Sequence, residues 1–195
     1  MTVWIQNPFD SLPLEGFRKQ RYWLMAEAFV AAGHDVTYFT SDFSHVTKHP
    51  RKLAEGATGG IRLVLLRTRP YRKNVSLARV LSHRAYAREW ERVAVGRPDV
   101  IISSMPTLSA AEVAVRLGRR LGARVVLDVQ DAWPETFERL APRGLRLLAR
   151  LLLWPLRCKA RRLYRTADRV TGVCDAYRHL TGRDDYYRAY LGVEI

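Results

Sequence analysis

The chain has 195 residues, which is enough to bury one substantial core and favours a single domain. Apolar residues make up 48% of the chain and charged residues 27%, a balance that excludes intrinsic disorder. The formal net charge of +14, mostly from arginine, favours phosphate-bearing partners (nucleic acid, anionic lipid headgroups or a diphosphate substrate) without choosing among them.

Short β-branched runs alternate with helical patterns along the chain. The runs predict strands at residues 2–6, 35–40, 61–66, 99–103, 124–129 and 168–173. The intervening patterns predict helices at residues 17–32, 75–95, 108–121 and 144–166, with a loop at residues 54–60. Such alternation is typical of βαβ units. The expected fold is therefore α/β: a Rossmann-like, doubly wound, mainly parallel sheet of about six or seven strands, with helices on both faces.

The loop after the first strand contains neither a GxGxxG nor a P-loop pattern, so dinucleotide and P-loop nucleotide sites are not predicted there. It holds one glycine, Gly16, at the expected start of a basic helix. Backbone N–H groups at that position, with Arg18, Lys19 and Arg21 nearby, are suited to meet a phosphate. The alternative is that Gly16 only permits a turn and that the cations are solvated.

The fifth predicted strand ends in two carboxylates, Asp128 and Asp131, followed by Trp133 and Pro134. A carboxylate in an apolar strand is costly unless it is hydrogen-bonded or paired, so the pattern indicates a polar network or a site. Alternatively, the two carboxylates cap the following helix.

These segments, in this order, resemble the retaining GT-B glycosyltransferases of the glycosyltransferase 4-like group. Residues 31–37 resemble the "RGHEVTV" entry to the second strand in that group, and residues 99–106 resemble its "PDVIHASSP" strand. Residues 126–135 are similar to the "VLDVRDLWPE" segment, and residues 41–45 to the "SSFNH" segment, of members that build bacterial surface polysaccharides. Residues 190–194 look like the "NGVD" turn that closes the N-terminal domain.

The resemblance implies that residues 1–195 are one N-terminal, acceptor-side domain, inactive alone and lacking the C-terminal nucleotide-binding domain. It implies a nucleotide-sugar donor and a lipid-linked or saccharide acceptor in surface-glycan synthesis, with a C-terminal domain or partner subunit completing the cleft. No cofactor or metal is expected. The site residues it implies are Asp131 as the catalytic carboxylate, Glu15, Gly16 and Arg18 as the donor-diphosphate or acceptor loop, and His45, Ser104, Gln130 and Glu135 as cleft candidates. Many relatives carry a histidine where this chain has Gln130 or Asp131, which leaves the base unassigned.

The longest predicted helix, at residues 144–166, is strongly basic. Its expected core-facing stripe comprises Leu145, Leu148, Ala149, Leu152, Leu153, Leu156, Ala160 and Leu163. Cations beside an aromatic ring are typical of an interfacial helix, so the expected face towards an anionic membrane comprises Arg146, Arg150, Trp154, Arg157 and Arg161. The alternative is a solvated arginine face. Pro155 is expected to kink or split this helix.

The sequence shows no signal-peptide pattern at residues 1–8 and no apolar run near the ~20 residues that span a bilayer. Cys158 and Cys174 are too few for a disulfide framework, and the histidines lack metal-ligand spacing. We therefore expect a cytoplasmic protein associated peripherally with the inner face of the membrane. Two alternatives remain. One is a basic α/β nucleic-acid-binding module, but no motif supports it, so a nucleic-acid partner is not expected. The other is a non-catalytic, membrane-recruiting GT-B-like subunit.

Overall fold

A computed structural model describes residues 1–105 and 107–189 of the chain. Within these residues one sheet of eight strands forms the centre of the molecule. The strands are β1 (Thr2–Gln6), β2 (Asp35–Ser41), β3 (Gly56–Thr58), β4 (Ile61–Leu66), β5 (Val100–Met105), β6 (Arg124–Val129), β7 (Arg169–Gly172) and β8 (Tyr186–Arg188). The strand order is β3-β4-β2-β1-β5-β6-β7-β8. Every neighbouring pair is parallel except β3 with β4, which confirms the expected mainly parallel, doubly wound fold.

Two of these strands were not predicted. Strand β3 lies in the segment predicted to be a loop and pairs antiparallel with β4 at the edge of the sheet. Strand β8 forms where the tyrosines of the final segment pair with β7. Both strands are three residues long and lie at the two edges of the sheet. Such short segments show no clear periodicity, and they form strands because they pair with a neighbouring strand. Pro106 and the "NGVD"-like segment at 190–194 lie outside the described residues.

The helices of the described part are α1 (Arg21–Ala31), α2 (Leu77–Val93), α3 (Leu108–Leu121), α4 (Glu135–Leu140), α5 (Arg146–Thr166) and α6 (Arg178–Thr181). Helix α1 begins four residues later than expected, because residues 17–20 have no regular secondary structure and Gln20, whose backbone is extended, precedes the first turn. Helix α5 continues unbroken through Pro155, so the expectation that this proline splits the helix is wrong.

Two cores cover the two faces of the sheet. On one face α1 packs through Tyr22, Trp23 and Ala26 against β1, β2 and β4. On the other face α2, whose Trp90 is completely buried, packs against α3, and α3 in turn packs against α5. Alternation of side chains along the central strands supplies both cores, because successive residues of a strand point to opposite faces. Burial of apolar surface in these cores stabilises the fold by about 25 cal/mol for each Å² removed from water.

The first half of α5 stands out from this packing. Leu145, Leu148 and Leu152, expected to face the core, are all exposed, and Leu152 is 70% accessible. The core contacts of α5 come instead from Ala160, Leu163 and Tyr164 in its second half. The prediction of a continuous core stripe is therefore wrong for the first half, because the short helix α4 packs beside α5 but leaves these leucines accessible. Nowhere in the described residues is a helix apolar enough over sufficient length to cross a bilayer.

Candidate functional site

The parallel sheet brings the loops that follow its strands to one edge, the carboxyl edge. Gly16 lies in the loop after β1 and Asp131 in the loop after β6, and only β5 lies between these two strands. The loops after β2 and β4 reach the same edge on the other side of β1. Ligands of open α/β sheets bind in the crevice outside the carboxyl ends of the strands. The carboxyl edge is therefore where the candidate site has to be built.

Asp128, near the end of β6, is the centre of a buried polar network. Its carboxylate accepts two hydrogen bonds of 3.0 Å from the Arg21 guanidinium, one of 2.8 Å from the Tyr22 hydroxyl and one of 2.6 Å from the Thr171 hydroxyl. Arg21 also donates to the carbonyl of Ala189 at 2.9 Å. Asp128 is 1% exposed. The network ties α1, β6 and β7 together, and it commits Arg21 to the interior rather than to a phosphate at the surface.

Asp131, the candidate catalytic carboxylate, has a different environment. It is exposed at the carboxyl edge, and its backbone carbonyl accepts a 2.8 Å hydrogen bond from the Trp133 amide. Its charge is near enough to contribute, after burial, to raising the pKa of the Tyr177 hydroxyl. The neighbouring Gln130 is partly exposed. Of the two carboxylates at the end of β6, Asp128 is used within the fold and Asp131 faces the solvent, where a ligand can reach it.

The loop after β1 is fixed at two points. Asp10 accepts hydrogen bonds from the Asn7 amide at 2.6 Å and the Tyr38 hydroxyl at 3.0 Å, and burial raises the pKa of its carboxyl to about 7. Arg51, from the segment after β2, donates to the carbonyl of Asp10 and forms a salt bridge with Glu15. Glu15, expected in a ligand-binding loop, thus holds the loop in place.

Gly16 ends the short 3₁₀ turn Pro13–Glu15 and lies five residues before the start of α1. It is therefore not at the helix terminus, as the sequence suggested. Its φ of +80° is a conformation that glycine adopts without steric cost, and no heavy atom lies within 4 Å of the position that a Cβ would take. The backbone is consequently open at this point of the carboxyl edge. Arg18 follows in the irregular segment before α1 and is exposed.

A second group of polar side chains lies at the same edge beside β1. We call it the histidine cluster, and its members come from the loops after β1, β2 and β4 and from α2: Phe9, His45, Lys48, Tyr71, Arg79 and His83. The ring of Phe9 packs edge-on against both imidazoles, at centroid distances of 5.1 and 5.3 Å. The sequence predicted only His45 from this cluster.

Both imidazoles of the histidine cluster are neutral acceptors. Nδ1 of His45 lies 3.2 Å from Lys48 Nζ and 2.6 Å from the Tyr71 hydroxyl, and Nε2 of His83 accepts from Arg79 Nε at 3.3 Å. Ammonium and guanidinium groups can only donate, so these ring nitrogens carry no proton. Burial, followed by the charges of Lys48 and Arg79, lowers the pKa of His45 to about 4. Burial, followed by Arg79, lowers the pKa of His83 to about 3.

The remaining predicted residues lie away from an open cleft. Ser104 is buried on β5, and its hydroxyl has no hydrogen-bond partner among the described residues. Glu135 lies 3.6 Å from Arg157 Nε, and Glu138 accepts from Arg157 Nη1 at 2.7 Å. The Arg157 side chain is only 14% exposed. Arg157 therefore fastens α5 to α4 and is not on a membrane-facing surface, while Glu135 is its partner.

No group of three or more metal-binding side chains comes together within the described 1–105 and 107–189 ranges. What the carboxyl edge does offer is an exposed carboxylate, an open glycine and a cationic cluster on adjoining loops. This arrangement suits a polar, anionic ligand.

Residues 19–189 match the Glycosyl transferase 4-like domain family, which is most of the chain and includes the whole sheet except β1. The chain belongs to this family. The comparison with curated proteins gives no match. The family match agrees with the order of motifs in the sequence.

A solved structure with the same fold is the catalytic domain of starch synthase IV from Arabidopsis thaliana bound to ADP and acarbose. The two align with a TM-score of 0.60 at 13% sequence identity. The alignment covers 98% of the glycosyl transferase 4-like chain and 51% of the starch synthase chain, so the present chain spans about half the length of that structure. At this identity the likeness concerns the fold, which is one Rossmann-like half of a GT-B structure.

Proposed function

We propose that this chain is the N-terminal, acceptor-side domain of a retaining glycosyltransferase that acts in surface-glycan synthesis. The sugar comes from a nucleotide-sugar donor and passes to a lipid-linked or saccharide acceptor. A C-terminal nucleotide-binding domain, or a partner subunit with that role, completes the cleft above the carboxyl edge. The observation that carries the proposal is the family match over residues 19–189 on a sheet whose carboxyl edge is open at Gly16.

The reaction exchanges one bond for another at the anomeric carbon of the sugar. The acceptor oxygen forms the new bond, and the bond to the donor diphosphate breaks with its electron pair leaving on the diphosphate. The acceptor proton passes to an oxygen of the departing diphosphate, on the same face of the sugar, which accounts for retention. No base from this chain is needed for that proton, in keeping with Gln130 and Asp131 standing where relatives carry a histidine.

The residues of this chain would then bind and orient. The open backbone at Gly16 allows the donor diphosphate to approach without meeting a side chain. Asp131, exposed beyond β6, would accept a hydrogen bond from a sugar or acceptor hydroxyl. The contacts of Arg51 with Asp10 and Glu15 hold the loop in one conformation. Ligand binding therefore does not have to order the loop, which lowers the entropy cost of binding.

The transfer test compares residues 1–195 alone with the same residues supplied with a C-terminal nucleotide-binding domain. We expect release of nucleoside diphosphate only when both halves are present, with negligible turnover by residues 1–195. Asp131→Asn should lower turnover in the two-domain protein, and Glu112→Gln, on the surface of α3, serves as its control. Robust transfer by residues 1–195 alone would contradict the proposed half-enzyme.

Membrane association is the second part of the proposal, and α5 supports it. Leu147, Leu151 and Trp154 follow one another at helical spacing on the exposed side of the helix, and Leu147 is 70% exposed. Arg150 and Arg161 flank this apolar stripe, and α5 contains no acidic residue. An apolar stripe bordered by arginines matches an anionic bilayer surface, where the side chains enter the headgroup region and the cations meet lipid phosphates.

Vesicle binding tests this second part. Each basic residue near an anionic surface contributes about 1 kcal/mol, so Arg150→Gln with Arg161→Gln should weaken binding to phosphatidylglycerol vesicles about 30-fold. Leu147→Ser with Leu151→Ser should weaken it further, whereas Val95→Ser, at a position that is 84% exposed elsewhere, should not. Equal binding of the unaltered protein to phosphatidylglycerol and to pure phosphatidylcholine vesicles would rule out this mode of attachment.

A further inference from the structure

The histidine cluster contains two cations, and no carboxylate of the described residues 1–105 and 107–189 neutralises them. Lys48 Nζ donates to the Asn74 side-chain oxygen at 2.6 Å and to His45, and it lies 4.7 Å from the centre of the Tyr71 ring. Burial, followed by the charge of Arg79, lowers the pKa of the Lys48 ammonium.

Arg79 donates to the carbonyl of Asn74 at 2.9 Å, and its guanidinium lies 5.1 Å from the centre of the Phe9 ring. Among the described residues, the groups around these two cations are neutral: two imidazoles, a phenol, an amide and a phenyl ring. Like charges held this close are unfavourable unless an anion joins them.

Backbone conformation provides an independent observation. Lys48 has a φ of +60°, and it is the one residue other than glycine with a positive φ in the described ranges. A side chain in this region costs roughly 1–2 kcal/mol, and residues held in this way cluster at active sites, ligand clamps and switch regions. The tight turn closed by the Lys48 amide and the Ser44 carbonyl at 3.0 Å fixes Lys48 in this conformation. The turn directs its ammonium towards His45 instead of leaving it in solvent.

The tautomers complete the arrangement. Because Nδ1 of His45 is the acceptor, its proton is on Nε2, and because Nε2 of His83 is the acceptor, its proton is on Nδ1. Neither of these N–H groups has a hydrogen-bond partner within the described part of the chain. The cluster thus combines two cationic donors with two neutral N–H donors, which is the complement of a group that has several anionic oxygens.

We propose that the histidine cluster is a binding site for a phosphoryl group of the acceptor, held by Lys48 and Arg79 with His45 as a neutral donor. This inference rests on the proposed transferase function, and it specifies the acceptor as a phosphorylated molecule. Phe9 links the cluster to the loop that carries Gly16, so one fixed loop would present the acceptor phosphate and the donor diphosphate side by side. A phosphorylated lipid and a soluble phosphate ester share this chemistry.

The direct test titrates the protein with inorganic phosphate and follows the histidine side-chain resonances by NMR. We expect His45 and His83 to shift in the unaltered protein. Lys48→Asn and Arg79→Gln should each weaken phosphate binding about tenfold or more, and Arg88→Gln, on the exposed side of the same helix, should not. Phosphate affinity that is the same in the unaltered protein, Lys48→Asn and Arg79→Gln would overturn the proposal.

Two further arms separate the sources of the phosphate. If farnesyl phosphate in detergent binds much more tightly than inorganic phosphate and farnesol does not bind, the ligand is a lipid phosphate. If farnesyl phosphate and inorganic phosphate bind equally well, the ligand is a soluble phosphate ester. If the two-domain protein transferred sugar and Lys48→Asn left the acceptor KM unchanged, the phosphate site would be contradicted and the transferase function would stand. If phosphate bound but no sugar was transferred, the transferase function would be contradicted and the phosphate site would stand.

Discussion

The Asp128 network and the histidine cluster both consist of charged groups close to the carboxyl edge, yet they are built in opposite ways. Asp128 is fully buried, and every partner it needs is present: a bidentate guanidinium and two hydroxyls. The histidine cluster is partly open, has two cations and has no carboxylate within the described ranges. A network that satisfies itself stabilises the fold, whereas one that remains unbalanced is suited to a ligand.

Removal of the Asp128 carboxylate should have the largest effect. In Asp128→Ala the Arg21 guanidinium remains buried without its counter-ion, and we expect the free energy of unfolding to fall by about 3–5 kcal/mol. Urea unfolding measures this loss. The matched control is Asp131→Ala, whose exposed side chain should change the free energy of unfolding by no more than about 0.5 kcal/mol. Similar losses in the two variants would mean that the two carboxylates do not differ in role.

Gly16→Ala should have an intermediate effect. The new methyl group meets no atom, so the cost is that of holding alanine at a φ of +80°, about 1–2 kcal/mol of unfolding free energy. Gly144→Ala is the control, because Gly144 has an ordinary φ and equally open surroundings. If thermal or urea unfolding showed equal stability for the two variants, Gly16 would not be required by the backbone of the loop.

The two cluster histidines should give the protein a pH-dependent stability. Their folded pKa values of about 4 and 3 lie below the ordinary 6.5, so the unfolded chain takes up protons first as the pH falls. Their contribution to the free energy of unfolding is therefore present above pH 6.5 and is lost progressively as the pH falls through about 4 for His45 and about 3 for His83. The groups facing them are Lys48, Arg79 and Tyr71.

Asp10 acts in the opposite direction, since its raised pKa of about 7 makes its contribution decline as the pH rises from about 4 to 7. Comparison of the unaltered protein with His45→Gln/His83→Gln cancels this term, because Asp10 is present in both. The double variant should lose less stability between pH 6.5 and 4, while His179→Gln should behave like the unaltered protein. A double variant with an unchanged pH dependence would show that these imidazoles titrate normally.

Lys48→Asn should have the smallest effect on stability, and for that reason it sharpens the comparison most. Asparagine adopts a positive φ more readily than lysine, and the substitution removes a like-charge repulsion. We expect the free energy of unfolding to stay within about 0.5 kcal/mol of the unaltered value, or to rise, while phosphate affinity is lost. A loss of more than 1 kcal/mol would place Lys48 with the structural residues, alongside Asp128.

The alternation of apolar runs was sufficient to predict six of the eight described strands and four of the helices, because side-chain periodicity is a local property. Strand β6 has the predicted bounds, and so does helix α3. The sequence also marked Asp128 and Asp131 as chemically unusual, since carboxylates after an apolar strand need an explanation. It did not distinguish them, because the partners of Asp128 lie 43, 106 and 107 residues away in the chain.

Tertiary structure decided the rest. The histidine cluster exists because the sheet order places β4 and β2 beside β1, so that loops distant in sequence meet around Phe9. In the sequence, only His45 was a candidate from this cluster, although Arg79 and His83 are spaced one helical turn apart. The sequence also did not predict that the leucines in the first half of α5 are exposed. Periodicity shows that a helix has an apolar side but not whether another element covers that side.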